Sequence, residues 1–243
     1  MQLRLDKLLA DAGFGTRSTV RTLIRSGSVM IDGTIVKSPE TKVDITSTSP
    51  EGKASVVTVN GAPVFFEPVS YYLLYKPAGV VSATTDPREK TVIDLIPEPR
   101  RRDLFPVGRL DKDTTGLLLI TNDGKLSNRL LAPGRHVPKT YRALVTGTLP
   151  EDVIPRFLAG LDIGDEKPTA PANLQILEST PEGTMTELTI TEGRYHQVKR
   201  MFEAVGCQVI LLKRVSMGGL ILPDDMKPGD VRKLSIEELT GLL

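Results

Sequence analysis

Apolar positions follow one rhythm in the first fifty residues and another beyond residue 70. Leu5, Leu8, Leu9 and Ala12 recur at helical spacing, and Gly13 ends that helix. A second helix follows, capped by Thr16 or Ser18, with Val20, Leu23 and Ile24 on its inner face and Gly27 at its close. The run 29–31, the turn Asp32-Gly33 and the run 34–36 predict a strand, a tight turn and a strand. Residues 46–53 are rich in Ser, Thr, Pro and Gly and predict a linker. Residues 56–59 with Asn60-Gly61 suit a further small hairpin before a main domain that begins near Ser70.

From Tyr71 onward, short β-like runs alternate with Gly and Pro turns. Strands are predicted over residues 71–75, 116–121, 140–146, 173–179, 187–191 and 207–214. Helices are predicted over 91–96, 126–131, 151–159 and 195–205. The order has no βαβ repeat, which favours an α+β domain with a mixed, mostly antiparallel sheet. The expected organisation is a small α/β domain over 1–50, a linker over 51–69 and a larger domain over 70–243.

Composition narrows the class. Of 243 residues, 40% are hydrophobic and 25% charged, so a folded globular chain is expected. Cys207 is the only cysteine, which excludes an intramolecular disulfide and reads as a small core residue. With one Cys and only His136 and His196, no structural zinc site is expected. The charged N-terminus is unlike a signal peptide, and the longest apolar run is only about five residues, too short to span a membrane. A cytoplasmic monomer without membrane contact is expected. There is no phosphate-binding loop and no dinucleotide fingerprint, so neither ATP nor NAD is indicated and no cofactor is expected.

The charge sum, 31 Lys and Arg against 30 Asp and Glu, argues at first against a nucleic-acid partner. Position changes that. Arg17, Arg21 and Arg25 recur every four residues, stacked on one face of the second helix about 6 Å apart along its axis. No acidic residue stands at i+4, so the stripe suits a phosphate backbone, although a solvated surface face would look the same. The surrounding segments Arg4-Leu-Asp-Lys-Leu-Leu-Ala, Thr16-Arg-Ser, Ile24-Arg-Ser-Gly-Ser-Val and Ile31-Asp-Gly resemble the RNA-binding domain typified by ribosomal protein S-four. That resemblance implies binding to structured RNA, but no reaction.

The densest charge lies at Gly108-Arg-Leu-Asp-Lys-Asp-Thr-Thr-Gly116, a polar loop running directly into an apolar strand. Asp111 stands between Arg109 and Lys112, a cationic setting that favours an ionised carboxylate fit to act as nucleophile or general base. Thr114, Thr115 and Gly116 are placed to turn the chain and to hydrogen-bond that carboxylate. On chemistry alone, a solvated turn with an incidental ion-pair cluster is the commoner fate of such a loop.

Motif company shifts the balance. Gly108-Arg-Leu-Asp-x-x-Thr-x-Gly-Leu-Leu resembles the central motif of pseudouridine synthases. Tyr75-Lys-Pro-Ala-Gly, Lys139-Thr-Tyr and Glu192-Gly-Arg-Tyr-His-Gln-Val-Lys-Arg-Met-Phe also fit, in the right order. With the small N-terminal domain, the chain is most similar to RsuA-type enzymes, which act on 16S ribosomal RNA. The resemblance implies that Asp111 is the catalytic carboxylate, Tyr141 the aromatic that stacks on the flipped base, and Lys199 the basic partner of Asp111. Lys199 would act as a point charge where relatives often carry arginine. Arg109, Arg194 and Arg200 join Arg17, Arg21 and Arg25 as RNA-binding candidates. His196, beside Lys199, suits a hydrogen-bonding or RNA-contacting role better than that of general base.

The implied reaction breaks the uridine C1′–N1 bond, turns the uracil and re-forms the bond through C5. Covalent attack by the carboxylate and proton abstraction to a glycal both remain open. The expected partner is 16S rRNA or an assembling small subunit. A 23S substrate and a non-catalytic RNA-binding assembly factor are the alternatives. A glycoside hydrolase using Asp111 and Asp113 is disfavoured, because the chain has no Trp and only 5% aromatic residues to build sugar platforms.

Overall fold

A computed structural model describes residues 2–45, 55–64, 66, 69–97 and 103–242. The chain divides into two units, Met1–Pro68 with Pro97–Arg101, and Val69–Ile96 with Arg102–Leu243.

The first unit runs β1 (Gln2–Arg4), α1 (Leu5–Asp11), α2 (Arg17–Arg25), β2 (Val29–Ile31), β3 (Thr34–Ile35), β4 (Lys42–Asp44), β5 (Val57–Val59) and β6 (Ala62–Pro63). The helical spacing seen in the sequence becomes one core: Leu5, Leu8, Leu9, Val20 and Ile24 pack with Val29, Val43, Val57 and Val59. Thr16 is the cap of α2, its hydroxyl accepting the Thr19 N–H at 3.2 Å. Within the stretch 51–69, the small hairpin expected at Asn60-Gly61 forms as β5 and β6. β5 pairs antiparallel with β2, so the sheet of this unit has the order β3-β2-β5-β6. The alternating Val57 and Val59 drive this, because both are buried in the core. The rest of the expected linker, 46–53, lies outside the described residues.

The second unit holds β7 (Tyr71–Lys76), β8 (Phe105–Pro106), β9 (Thr115–Thr121), α3 (Gly124–Leu131), β10 (Lys139–Thr146), α4 (Val153–Ala159), β11 (Asn173–Thr180), β12 (Gly183–Ile190), α5 (Gln197–Glu203), β13 (Gln208–Met217), β14 (Leu220–Ile221), β15 (Val231–Lys233) and α6 (Ile236–Thr240). Its main sheet has the order β11-β12-β10-β13-β9-β7-β15, with β14 on β13 and β8 on β9. This is the mixed, mostly antiparallel α+β architecture expected. Both faces of the central strands are covered. Leu74, Leu118 and Tyr141 belong to one core, and Leu73, Leu117 and Met217 to another. Burial on both sides is why these strands read as continuous apolar runs rather than alternating ones.

Two predicted helices change. Residues 91–96 form only a 3-10 turn, Ile93–Leu95, because the Asp94 carboxylate accepts the Thr91 N–H at 2.8 Å and closes the chain locally. The helix predicted over 195–205 begins at Gln197, because His196 takes the left-handed conformation with φ 48°.

The two halves of the sheet meet at a single short parallel pairing, Lys213 with Thr115 and Arg214 with Gly116. Gly116 has φ 104°, and a Cβ there would run into the backbone of Arg214. Only glycine permits this approach. Beyond it the strands part, and the buried Arg214 guanidinium reaches across to donate from Nε to the Leu117 carbonyl at 2.8 Å. The loop carrying Asp111 enters β9 at this seam.

Candidate active site

Lys76 fixes the loop from beneath. It ends β7, is wholly buried, and donates from Nζ to the carbonyls of Pro77 at 3.0 Å, Lys112 at 3.2 Å and Thr114 at 2.9 Å. Two of those carbonyls flank Asp113, so one ammonium sets the course of the whole turn. Burial pulls the Lys76 pKa down to about 8, with the carboxylates of Asp113 and Asp111 opposing the fall. The Ser82 hydroxyl holds the other side, donating to the Leu110 carbonyl at 2.8 Å and accepting the Leu110 N–H at 3.0 Å.

The threonines do less for the carboxylate than the sequence suggested. The Thr114 N–H donates to the Asp111 backbone carbonyl at 3.1 Å, and the Thr115 hydroxyl to the Leu212 carbonyl at 3.3 Å. The Thr114 hydroxyl is buried without a partner among the described residues. The Asp111 side chain instead has two polar neighbours, the Lys199 ammonium on α5 and the His196 imidazole in the turn before it. Its Oδ2 lies 3.5 Å from Lys199 Nζ, and its Oδ1 lies 3.6 Å from His196 Nε2.

Lys199 is shared. Its Nζ donates to Asp113 Oδ1 at 2.7 Å and Oδ2 at 2.8 Å, closer than to Asp111. These bonds pull the Asp113 pKa below the ordinary carboxylate range. Lys199 is thus the basic neighbour of Asp111, but its hydrogen bonds go to Asp113.

A pocket opens over Asp111, walled by Tyr141, Leu110, Thr114, Leu212 and Arg109. Tyr141 is buried on β10 and lines this pocket. The structure thus brings Asp111, Tyr141, Arg109, His196 and, at its edge, Lys199 to one place. Arg109 is exposed and makes no hydrogen bond or ion pair among the described residues.

Arg194 and Arg200 are engaged elsewhere. Arg194 pairs with Glu192 at 3.2 Å and Asp165 at 3.3 Å, and donates to the Lys167 and Pro168 carbonyls. Arg200 binds the Asp165 carboxylate and the carbonyls of Ile163 and Tyr195. Both guanidiniums brace the loop before β11 against the turn that carries His196. Intramolecular acceptors already occupy most of their donors.

The arginine stripe of the first unit also divides. Arg21 Nε contacts the buried Asp6 carboxylate at 3.2 Å, beside Arg4 at 3.0 Å. Arg17 and Arg25 are exposed. The missing i+4 acid in the sequence concealed a partner fifteen residues upstream. Lys76 and Asp165 were missed altogether. Lys76 sits in the quoted Tyr75-Lys-Pro motif, but a lysine reads as surface until its three carbonyls are seen around it. Cys207 is buried in the core, as expected.

No helix of the described residues is long and apolar enough to cross a membrane. Residues 70–204 match the RNA pseudouridylate synthase family, and residues 3–48 match the S4 domain. A ribosomal small subunit pseudouridine synthase A of Vibrio parahaemolyticus is 41% identical over 241 residues, covering 99% of this chain and 99% of that one. The protein of the same name from Escherichia coli is 39% identical over 99% of this chain and 100% of its own. An uncharacterised RNA pseudouridine synthase of Bacillus subtilis is 46% identical, covering 98% of this chain and 97% of that one. A crystal structure of a pseudouridylate synthase superposes with a TM-score of 0.68 at 36% identity, covering 99% of this chain and 100% of the other. The chain belongs to the RNA pseudouridylate synthase family and is an RsuA-type enzyme that isomerises uridine in RNA to pseudouridine.

Proposed function

We propose that the enzyme converts one uridine of small-subunit 16S rRNA to pseudouridine, with Asp111 as the catalytic carboxylate. The observation that carries this reading is the placement of Asp111: a carboxylate on an open pocket that Tyr141 also lines, in a turn whose Lys112 and Thr114 carbonyls buried Lys76 holds. The relatives named for the small ribosomal subunit favour 16S rRNA.

The target uridine leaves its helix and enters the pocket, where the Tyr141 ring supports the base. Stacking on an aromatic ring is worth about 1–3 kcal/mol, which offsets much of the cost of unstacking. Asp111 then acts at the nucleoside while the C1′–N1 bond breaks. The uracil turns, C5 bonds to C1′, the C5 proton leaves to solvent and N1 takes up a proton. Atoms and electrons balance within the nucleoside. Lys199, held on Asp113, keeps a positive charge 3.5 Å from Asp111.

The organisation that goes with this reading is a small RNA-gripping domain ahead of a catalytic domain beginning near residue 70. Arg17 and Arg25 remain open to phosphates, and Arg109 meets the RNA at the pocket. The enzyme acts in the cytoplasm, as a monomer, on rRNA or an assembling small subunit. The test is tritium release from 16S and 23S transcripts labelled at uridine C5. Release from 16S alone is the expected outcome. Release from 23S alone would reassign the substrate, and release from neither would contradict the reading for naked RNA.

A further inference from the structure

Among the described residues Tyr195 is the most exposed of the large apolar and aromatic side chains, at 74%, yet it is not loosely held. Its ring stacks on His196, with centroids 3.8 Å apart and planes at 17°. His196 adopts φ 48°, a conformation disfavoured for a residue with a Cβ and maintained here by its surroundings. Those surroundings are specific. Arg200 donates to the Tyr195 carbonyl at 3.1 Å, and the Arg194 N–H donates to Gln197 Oε1 at 2.9 Å. Asp165 ties both arginines together. The dyad is therefore preorganised. Its inner member lies 3.6 Å from Asp111, and its outer face looks onto a groove shared with Arg109, Gly108 and Phe105.

An ordered aromatic ring facing solvent beside a charged groove is poorly explained by folding. Burial contributes little to a side chain so exposed. It is well explained by a base. Aromatic rings bind nucleobases through their faces without regard to sequence, and a nearby guanidinium takes the phosphate.

We propose that the stacked Tyr195–His196 pair is a second base-binding platform, on which Tyr195 receives the RNA base next to the flipped uridine. Two stacking sites then hold the substrate: Tyr141 inside the pocket for the target, Tyr195 outside it for the neighbour. His196 positions Tyr195 through ring contact and links it to Asp111. The proposal rests on the pocket around Asp111 being the uridine site.

The chain has no tryptophan, so Tyr195→Trp introduces a single fluorescent reporter at the platform. It should be made both alone and with Asp111→Asn, and titrated with 16S transcript. The expected result is quenching of the tryptophan emission in both proteins, since stacking needs no turnover. In parallel, tritium release should retain kcat/KM within about twofold for Tyr195→Phe and Tyr195→Trp. Tyr195→Leu should lose about tenfold or more, mostly in KM, the scale expected for one stacked base. A merely structural tyrosine would show no quenching and no rescue by aromatic replacements. Unchanged emission at saturating RNA, or Tyr195→Leu with wild-type kcat/KM, overturns the proposal. If the Asp111 reading alone is wrong, Asp111→Asn stays active while the quenching persists, so the two failures are distinct.

Discussion

Lys76 shows how one buried charge can organise a loop. Three main-chain carbonyls replace its water shell, and no carboxylate among the described residues touches it directly. Lys76→Met takes the ammonium donor from all three carbonyls, of which that of Lys112 keeps the Gly79 N–H at 2.8 Å, and is expected to cost about 3 kcal/mol. The pH dependence has a definite sign. The folded pKa is about 8, below the ordinary lysine value of 10.5. Between those values the unfolded chain binds the extra proton, so this group raises stability as pH rises. Denaturant unfolding at pH 7.5 and 9.5 should show the gap between wild type and Lys76→Met widening at the higher pH. A constant or narrowing gap would contradict the assignment. None of this was visible in the sequence, where a lysine before a proline gives no sign of its acceptors. The charged loop around Asp111 was legible, because its motif is local and continuous. The contacts of Arg194 and Arg200 were not, because Asp165 and the carbonyls of 163–168 reach them only through the tertiary fold.

Elements followed the pattern wherever burial was two-sided or cleanly periodic. β7 and β9 were legible as apolar runs, and α2 from its cap and inner face. The exceptions mark backbone events that no hydrophobic pattern reports, such as the left-handed His196 that delays α5. In the first unit, α1 and α2 are joined by the Asp6 carboxylate, which accepts from Arg4 and Arg21. Those guanidiniums hold the Asp6 pKa below its usual range. Its stabilisation is therefore present above the unfolded carboxylate pKa and is lost as pH falls through the lower folded value. Asp6→Asn in the full chain should weaken the helix pair by about 2 kcal/mol. Amide hydrogen exchange resolved to α1 and α2 should then quicken by about thirtyfold at neutral pH, an effect that shrinks on acidification. Unchanged exchange would show that the pair contributes nothing.

For the whole molecule, a near-neutral sum conceals a division of labour among its arginines. Some, like Arg194, Arg200 and Arg21, are tied to carboxylates, and others, like Arg17, Arg25 and Arg109, are open. Each phosphate contact contributes about 0.7–0.9 to the slope of log affinity against log salt. The double variant Arg17→Ala with Arg25→Ala should lower that slope by about 1.5 on 16S transcript, and Arg194→Ala should leave it nearly unchanged. The reverse pattern would reassign the RNA-facing surface. Central to the account is the carboxylate at the seam of the sheet, and the most direct measurement compares wild type with Asp111→Asn on 16S transcript tritiated at uridine C5. The substitution keeps the size of the side chain and removes its charge. Wild type is expected to release tritium while Asp111→Asn, bound to the same RNA with similar affinity, releases none; release by the variant at the wild-type rate would contradict the account.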